Sequence, residues 1–274
     1  MIDFFIQNDR LDIALNGKTK ISFSVGQTFF SVGKGSNAYS MSRGSFTIKE
    51  KTFEKTDLSV TGFRPTDDGV VITLSEGSLI LSRQGDSVKF SPVGLDAYNK
   101  TWLRLPSDAD ERLYGGGEIF SEFDLKGLEH KVWVAEHINA LQTTIKLLNH
   151  AAGFRNNRFS QRYSRYESYY AQPTFVSSHK YFYHSTTTAL CIFDFKHDDR
   201  ITVRTCEVCP FYLSFAEDYP SLSKSLSDLV GRQPEMPDWV YDGHILGIQG
   251  GTDVMMEKYR KRQPLLFSVK KLTE

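Results

Sequence analysis

Short runs in which apolar and polar residues alternate, each closed by a cluster of glycine, asparagine, aspartate or serine, fill most of the chain and point to an antiparallel β fold. Lys20-Ile-Ser-Phe-Ser-Val, Ser45-Phe-Thr-Ile-Lys and Gly69-Val-Val-Ile-Thr-Leu carry the pattern up to about residue 105. It resumes after residue 155 in Tyr163–Tyr170, Phe175–Ser178, Lys180–Tyr183, Ala189–Phe195 and Arg200–Cys206. A period of two sends alternate side chains to one face, so residues 1–216 are expected to form a β-sandwich around one apolar interior. The apolar share of 40%, with 13% aromatics, is enough to fill such a core.

The texture changes near residue 217. Asp218-Tyr-Pro-Ser-Leu-Ser-Lys-Ser-Leu-Ser-Asp-Leu-Val places Leu222, Leu226 and Leu229/Val230 at helical spacing, and Gly231 follows as a C-cap. Arg232-Gln-Pro-Glu-Met-Pro-Asp-Trp cannot continue a helix through its two prolines, so residues 217–236 are expected to be a helix and a linker. Beyond it, His244-Ile-Leu-Gly-Ile-Gln suits a buried strand, and Gly250-Gly-Thr-Asp opens a helical stretch over Val254–Arg262 with Thr252 or Asp253 as N-cap. One βα unit cannot bury both its faces, and a barrel built from such units needs ~250 residues. Residues 237–274 are therefore expected to be the start of an incomplete (β/α)8 barrel, with exposed apolar faces that favour self-association or proteolytic loss of residues after about 235.

Several function classes drop out on composition. Lys+Arg and Asp+Glu both total 33, so no basic excess draws in nucleic acid or an anionic membrane. No stretch approaches the ~20 apolar residues of a membrane span, and the first residues show no basic, then apolar, secretory pattern, which makes the cytoplasm the expected compartment. The three cysteines, Cys191, Cys206 and Cys209, are an odd number in a chain of this size, which argues against a disulfide framework. The single Cys206-Glu-Val-Cys209 has no second ligand pair, so neither metal nor cofactor is expected.

The densest motif is Tyr114-Gly-Gly-Gly-Glu-Ile-Phe-Ser-Glu-Phe-Asp-Leu-Lys-Gly. Gly115, Gly116 and Gly117 suit positive φ or a close backbone approach, as at a sharp strand crossing or a ligand wall. Glu118 and Asp124 are better suited to satisfying backbone donors and a neighbouring Lys126 or Arg112 than to acid/base work. The motif resembles the Gly-rich segment in the sandwich domain of family 31 α-glycosidases, α-glucosidase and sulfoquinovosidase-like. Gln172-Pro-Thr-Phe-Val-Ser-Ser, Leu229-Val-Gly-Arg-Gln-Pro and Pro237-Asp-Trp-Val-Tyr-Asp-Gly-His-Ile-Leu-Gly-Ile-Gln-Gly-Gly-Thr are similar to further segments of that family, in the same order.

The resemblance implies a galactose-mutarotase-like sandwich leading into a barrel that cleaves an α-linked sugar or glycoside with retention. Retention takes a nucleophilic carboxylate and an acid/base carboxylate ~5–5.5 Å apart. In the family both are aspartates on later barrel strands, so this chain is expected to lack catalytic residues and to be inactive alone. Gln249 matches the end of the first barrel strand, where it would contact the sugar or fix the Gly250-Gly251 turn. Glu136, in Trp133-Val-Ala-Glu-His, falls where the sandwich extends a loop over the active site. The competing reading is a stand-alone carbohydrate-binding or mutarotase-like module. A mutarotase would need a facing acid and base, commonly His and Glu, which no sequence motif singles out.

Overall fold

The computed structural model describes residues 2–42, 45–119, 122–134 and 168–242, together with 253, 254, 256 and 257. Among these residues the strands form three antiparallel sheets. The smallest joins β1 (Ile2–Gln7), β2 (Arg10–Leu15) and β3 (Lys18–Ser24) in sequence order. Asn16-Gly17 makes its second hairpin turn, with φ of 51° and 76°, the pair of positive φ angles that a two-residue loop between twisted strands requires.

The chain then runs through β4 (Phe30–Ser42), β5 (Ser45–Leu58), β6 (Val60–Thr66), β7 (Gly69–Leu74), β8 (Ser78–Gln84) and β9 (Ser87–Val93). It continues through β10 (Lys100–Pro106), β11 (Leu113–Gly117), β12 (Glu129–Val132), β13 (Ala171–Ser177) and β14 (Tyr181–Ser185). The last strands are β15 (Cys191–Asp194), β16 (Arg200–Thr205) and β17 (Phe211–Phe215). One sheet has the order β12-β15-β16-β10-β4-β5 and the other β11-β13-β14-β17-β9-β8-β7-β6.

Inward-facing residues of all three sheets merge into one core, as the alternation predicts. Phe30 of one large sheet stacks on Phe211 of the other at 6.4 Å, and Phe175 meets Phe193 edge-on at 5.2 Å across the same interior. Each buried phenylalanine contributes on the order of 1.5–3 kcal/mol by leaving water. One charged group enters the fold with them. Lys100, at the start of β10, is fully buried, and its Nζ lies 2.6 Å from Glu50 Oε1 and 3.0 Å from Asn37 Oδ1. Arg204 closes the network at 3.1 Å from Glu50 Oε2.

Helix α1 (Tyr219–Val230) follows the sandwich, where the leucine spacing places it. Asp218 caps it by accepting from Ser221 N–H at 2.7 Å, and Gly231 ends it with φ 90° while donating to Ser227 O. Leu222 is buried, and Leu226 and Leu229 pack with it on Phe182 and Ala216. The chain divides after Gly231 into a unit of residues 1–231 and a unit of residues 232–274. In the second unit, residues 232–237 have no regular structure and Asp238–Val240 makes one 3-10 turn. Residues 253, 254, 256 and 257 are helical, and the strand expected at 244–249 lies outside the described residues.

Candidate functional site

Glu136 and Gln249, the two residues expected to contact substrate, both lie outside the described residues, as do Tyr163 and Tyr166. Tyr169 and Tyr170 are described and exposed. Trp239 is 62% exposed among the described residues.

The Gly-rich motif forms β11, which pairs with β13 as Leu113↔Ser177, Tyr114↔Val176 and Gly115↔Phe175, then shifts register before Gly117↔Ala171. Its three glycines have φ of 122°, 85° and 104° in succession. A Cβ on Gly115 would sit 2.6 Å from Thr174 O, one on Gly116 would collide with the His130 ring, and one on Gly117 with Tyr170 O. The close approach they permit is to the neighbouring strand and to β12, so the motif builds a bulged sheet edge. Asp124 serves it in the way expected: Oδ1 accepts from the N–H groups of Leu113 at 3.2 Å and Lys126 at 3.0 Å, and Oδ2 faces Arg112 at 3.5 Å.

His130, buried beneath Gly116, has its imidazole pKa lowered by that burial from 6.5 to about 4. Its neutral form is favoured in the fold, whereas an unfolded imidazole takes a proton near pH 6.5. The resulting stabilisation is complete above pH 6.5 and is lost as pH falls toward 4. At ~1.36 kcal/mol per pKa unit, wild type should lose about 3 kcal/mol more than a His130→Gln variant between pH 7 and 4. An NMR titration placing the folded ring near 6.5 would refute this.

The cysteines bond separately. Cys206 Sγ lies 3.8 Å from Lys100 Nζ, and Cys209 Sγ lies 3.3 Å from Ser185 Oγ. Burial pushes the Cys206 thiol up to about 11, which keeps it protonated and unreactive.

A set of titratable side chains surrounds a cavity of about 340 Å³ bounded by β3, β10, β14 and β17. Glu111 is fully buried there, and its two carboxylate oxygens accept from Ser107 Oγ and Ser177 Oγ at 2.5 Å each. Lys126 Nζ holds Ser107 Oγ at 2.8 Å and Asp108 O at 2.7 Å. His179 Nε2 lies 2.8 Å from Asp108 Oδ2, while its backbone N–H donates to Ser177 Oγ at 3.0 Å. The β13–β14 turn that presents His179 contains Lys180 at φ 62°, a left-handed angle costing a side-chain-bearing residue ~1–2 kcal/mol. Bonds on both sides hold it, from Ser178 N–H to Arg112 O at 2.8 Å and from Ala216 N–H to Lys180 O at 2.9 Å.

Tyr181 also lines the cavity. Its hydroxyl is buried and, with Trp133 Nε1, is one of two buried side-chain polar atoms left without a hydrogen-bond partner among the described residues. Burial holds the phenol well above its ordinary pKa, and the neighbouring Glu111 carboxylate adds to the effect. Sequence reasoning missed this cluster. Asp108, Asp110 and Glu111 look like a solvated acidic run, and Ser177 and His179 come from a hairpin more than 60 residues away.

No family model matches the chain. It is 31% identical over 279 residues to a sulfoquinovosidase from Escherichia coli, a match covering 93% of this chain and 38% of that protein. A sulfoquinovosidase from Agrobacterium fabrum is 31% identical over 268 residues, covering 94% of this chain and 39% of the relative. Among solved structures, a family GH31 sulfoquinovosidase from E. rectale bound to an aza-sugar inhibitor superposes with a TM-score of 0.74 at 26% identity, over 95% of this chain and 39% of that one. The chain thus spans about two fifths of the length of the curated relatives it matches.

Proposed function

The chain belongs to glycoside hydrolase family 31 over the stretch it shares with these relatives, and from that premise we propose that it is the sugar-associated β-sandwich portion of a retaining α-glycosidase of the sulfoquinovosidase type. The observation that carries the proposal is the extent of the likeness, which runs through 93% of the chain at 31% identity and is matched by the fold at a TM-score of 0.74.

In this reading residues 237–274 begin the catalytic barrel. Gln249 ends its first strand, on the face where barrel enzymes place substrate contacts. Glu136 lies in the loop that the sandwich extends toward the sugar. The nucleophile and the acid/base carboxylate, ~5–5.5 Å apart for retention, belong to later barrel strands outside these 274 residues. In this reading the sandwich carries no catalytic carboxylate, and the chemistry is elsewhere.

The purified chain is expected to release no aryl product from an aryl α-sulfoquinovoside or an aryl α-glucoside. Turnover that co-purifies with the folded chain and survives controls against host glycosidases would overturn the assignment of the catalytic carboxylates.

A further inference from the structure

We infer that the cavity bounded by β3, β10, β14 and β17 binds a neutral polyhydroxylated ring of monosaccharide size. This goes beyond the family assignment, because the cavity is lined entirely by residues 19–215 of the sandwich and uses no barrel residue.

Its volume of about 340 Å³ lies at the lower end of small-molecule sites, which suits one sugar ring and excludes a longer chain. The lining has two characters. Ile21, Leu213 and Phe215 offer an apolar surface for the C–H face of a ring, while Asp108, Glu111, His179 and Tyr181 offer acceptors and donors. Charge selects the ligand class. An anion would meet the two carboxylates of Asp108 and Glu111 against Lys20, which already faces Glu217 at 3.9 Å. A cation would meet Lys20, and a neutral ligand carrying hydroxyl groups suits both signs.

The polar groups are fixed beforehand rather than free to collapse. Glu111 is gripped through both oxygens, Lys126 anchors Ser107 behind it, and His179 is oriented by Asp108. The Tyr181 hydroxyl is the exception: it is buried beside the Glu111 carboxylate and Ser177, yet makes no hydrogen bond of good geometry among the described residues. A hydroxyl held at the cavity wall without a well-formed bond is placed to exchange a hydrogen bond with a ligand hydroxyl.

The test is a calorimetric or NMR titration of the 274-residue chain with methyl α-D-glucopyranoside, methyl α-D-galactopyranoside and myo-inositol, with inorganic sulfate as competitor. At least one neutral probe is expected to bind saturably in the ~mM range, and sulfate is not expected to displace it. Tyr181→Phe should weaken that binding by about tenfold or more while leaving Tm unchanged or raised, since it removes an unpaired group. His179→Ala should weaken it similarly. Flat titrations with all three probes would overturn the inference, as would displacement by sulfate. Binding undiminished in both variants would place the sugar elsewhere and overturn it equally. A Tyr181→Phe protein with lowered Tm and unaltered affinity would show the hydroxyl to be structural. A chain that hydrolyses glycosides would disprove the proposed division of labour with the barrel and leave this cavity's test untouched.

Discussion

Replacing Gly117 by alanine should destabilise the sandwich by about 3–5 kcal/mol, within the range reserved for substitutions that break a specific structural device. Two costs add. The residue holds φ 104°, where a Cβ is strained by ~1–2 kcal/mol, and the added carbon would collide with Tyr170 O and stand 2.9 Å from Gln172 N. Both obstacles are backbone of the residues leading into β13, so nothing can rotate away. The control is Gly127→Ala. That glycine also has positive φ, 81°, but its added Cβ would meet nothing within 4 Å, and a loss of only about 1 kcal/mol is expected. Urea denaturation of the two variants separates dihedral strain from collision. Equal losses would mean that the bulged pairing of β11 with β13 yields easily.

Glu50→Ala is expected to cost a further ~3–5 kcal/mol by a different route. The substitution leaves the fully buried Lys100 ammonium with only Asn37 Oδ1 and a thiol nearby, and strips Arg204 of its carboxylate as well. A double replacement, Lys100→Met with Glu50→Leu, removes charge and counter-charge together and should lose far less than the single change, because burying an ion pair already carries a desolvation cost. Denaturant midpoints for wild type, Glu50→Leu, Lys100→Met and the double variant give the coupling energy. If the double variant is no better than Glu50→Ala alone, the network stabilises through its shape and not its charge.

Local chemistry made much of this fold legible. The run Gly69–Leu74 becomes β7 as its alternation predicts, and the helix from residue 219 to Val230 with its glycine cap follows from leucine spacing and backbone sterics. The glycine triplet was recognisable as a place of close approach, though not which surface approached it. The length of β5 was hidden, because Lys49 through Lys55 resembles a solvated charged stretch and becomes a strand only by pairing with β4. Lys100 was hidden for a related reason. A lysine after Asn99 suggests a turn, and its burial depends on Glu50 and Asn37, which the topology alone brings to it. The cavity around Glu111 likewise depends on a hairpin meeting a distant acidic loop, a kind of contact that periodicity does not encode.

The charged stretch of β5 has a further consequence for how one molecule meets another. Among the described residues β5 is the outermost strand of its sheet, fourteen residues long, and near its start the Phe46 N–H donates to Val134 O at 3.2 Å. Two copies joining there about a two-fold axis must centre on a single residue. Centred on Lys51, that lysine faces itself; centred on Thr52, Lys49 faces Lys55 and Glu50 faces Glu54; centred on Phe53, Lys51 faces Lys55. Each of these three registers sets like charges side by side, so the charged middle of the strand opposes pairing with its own copy.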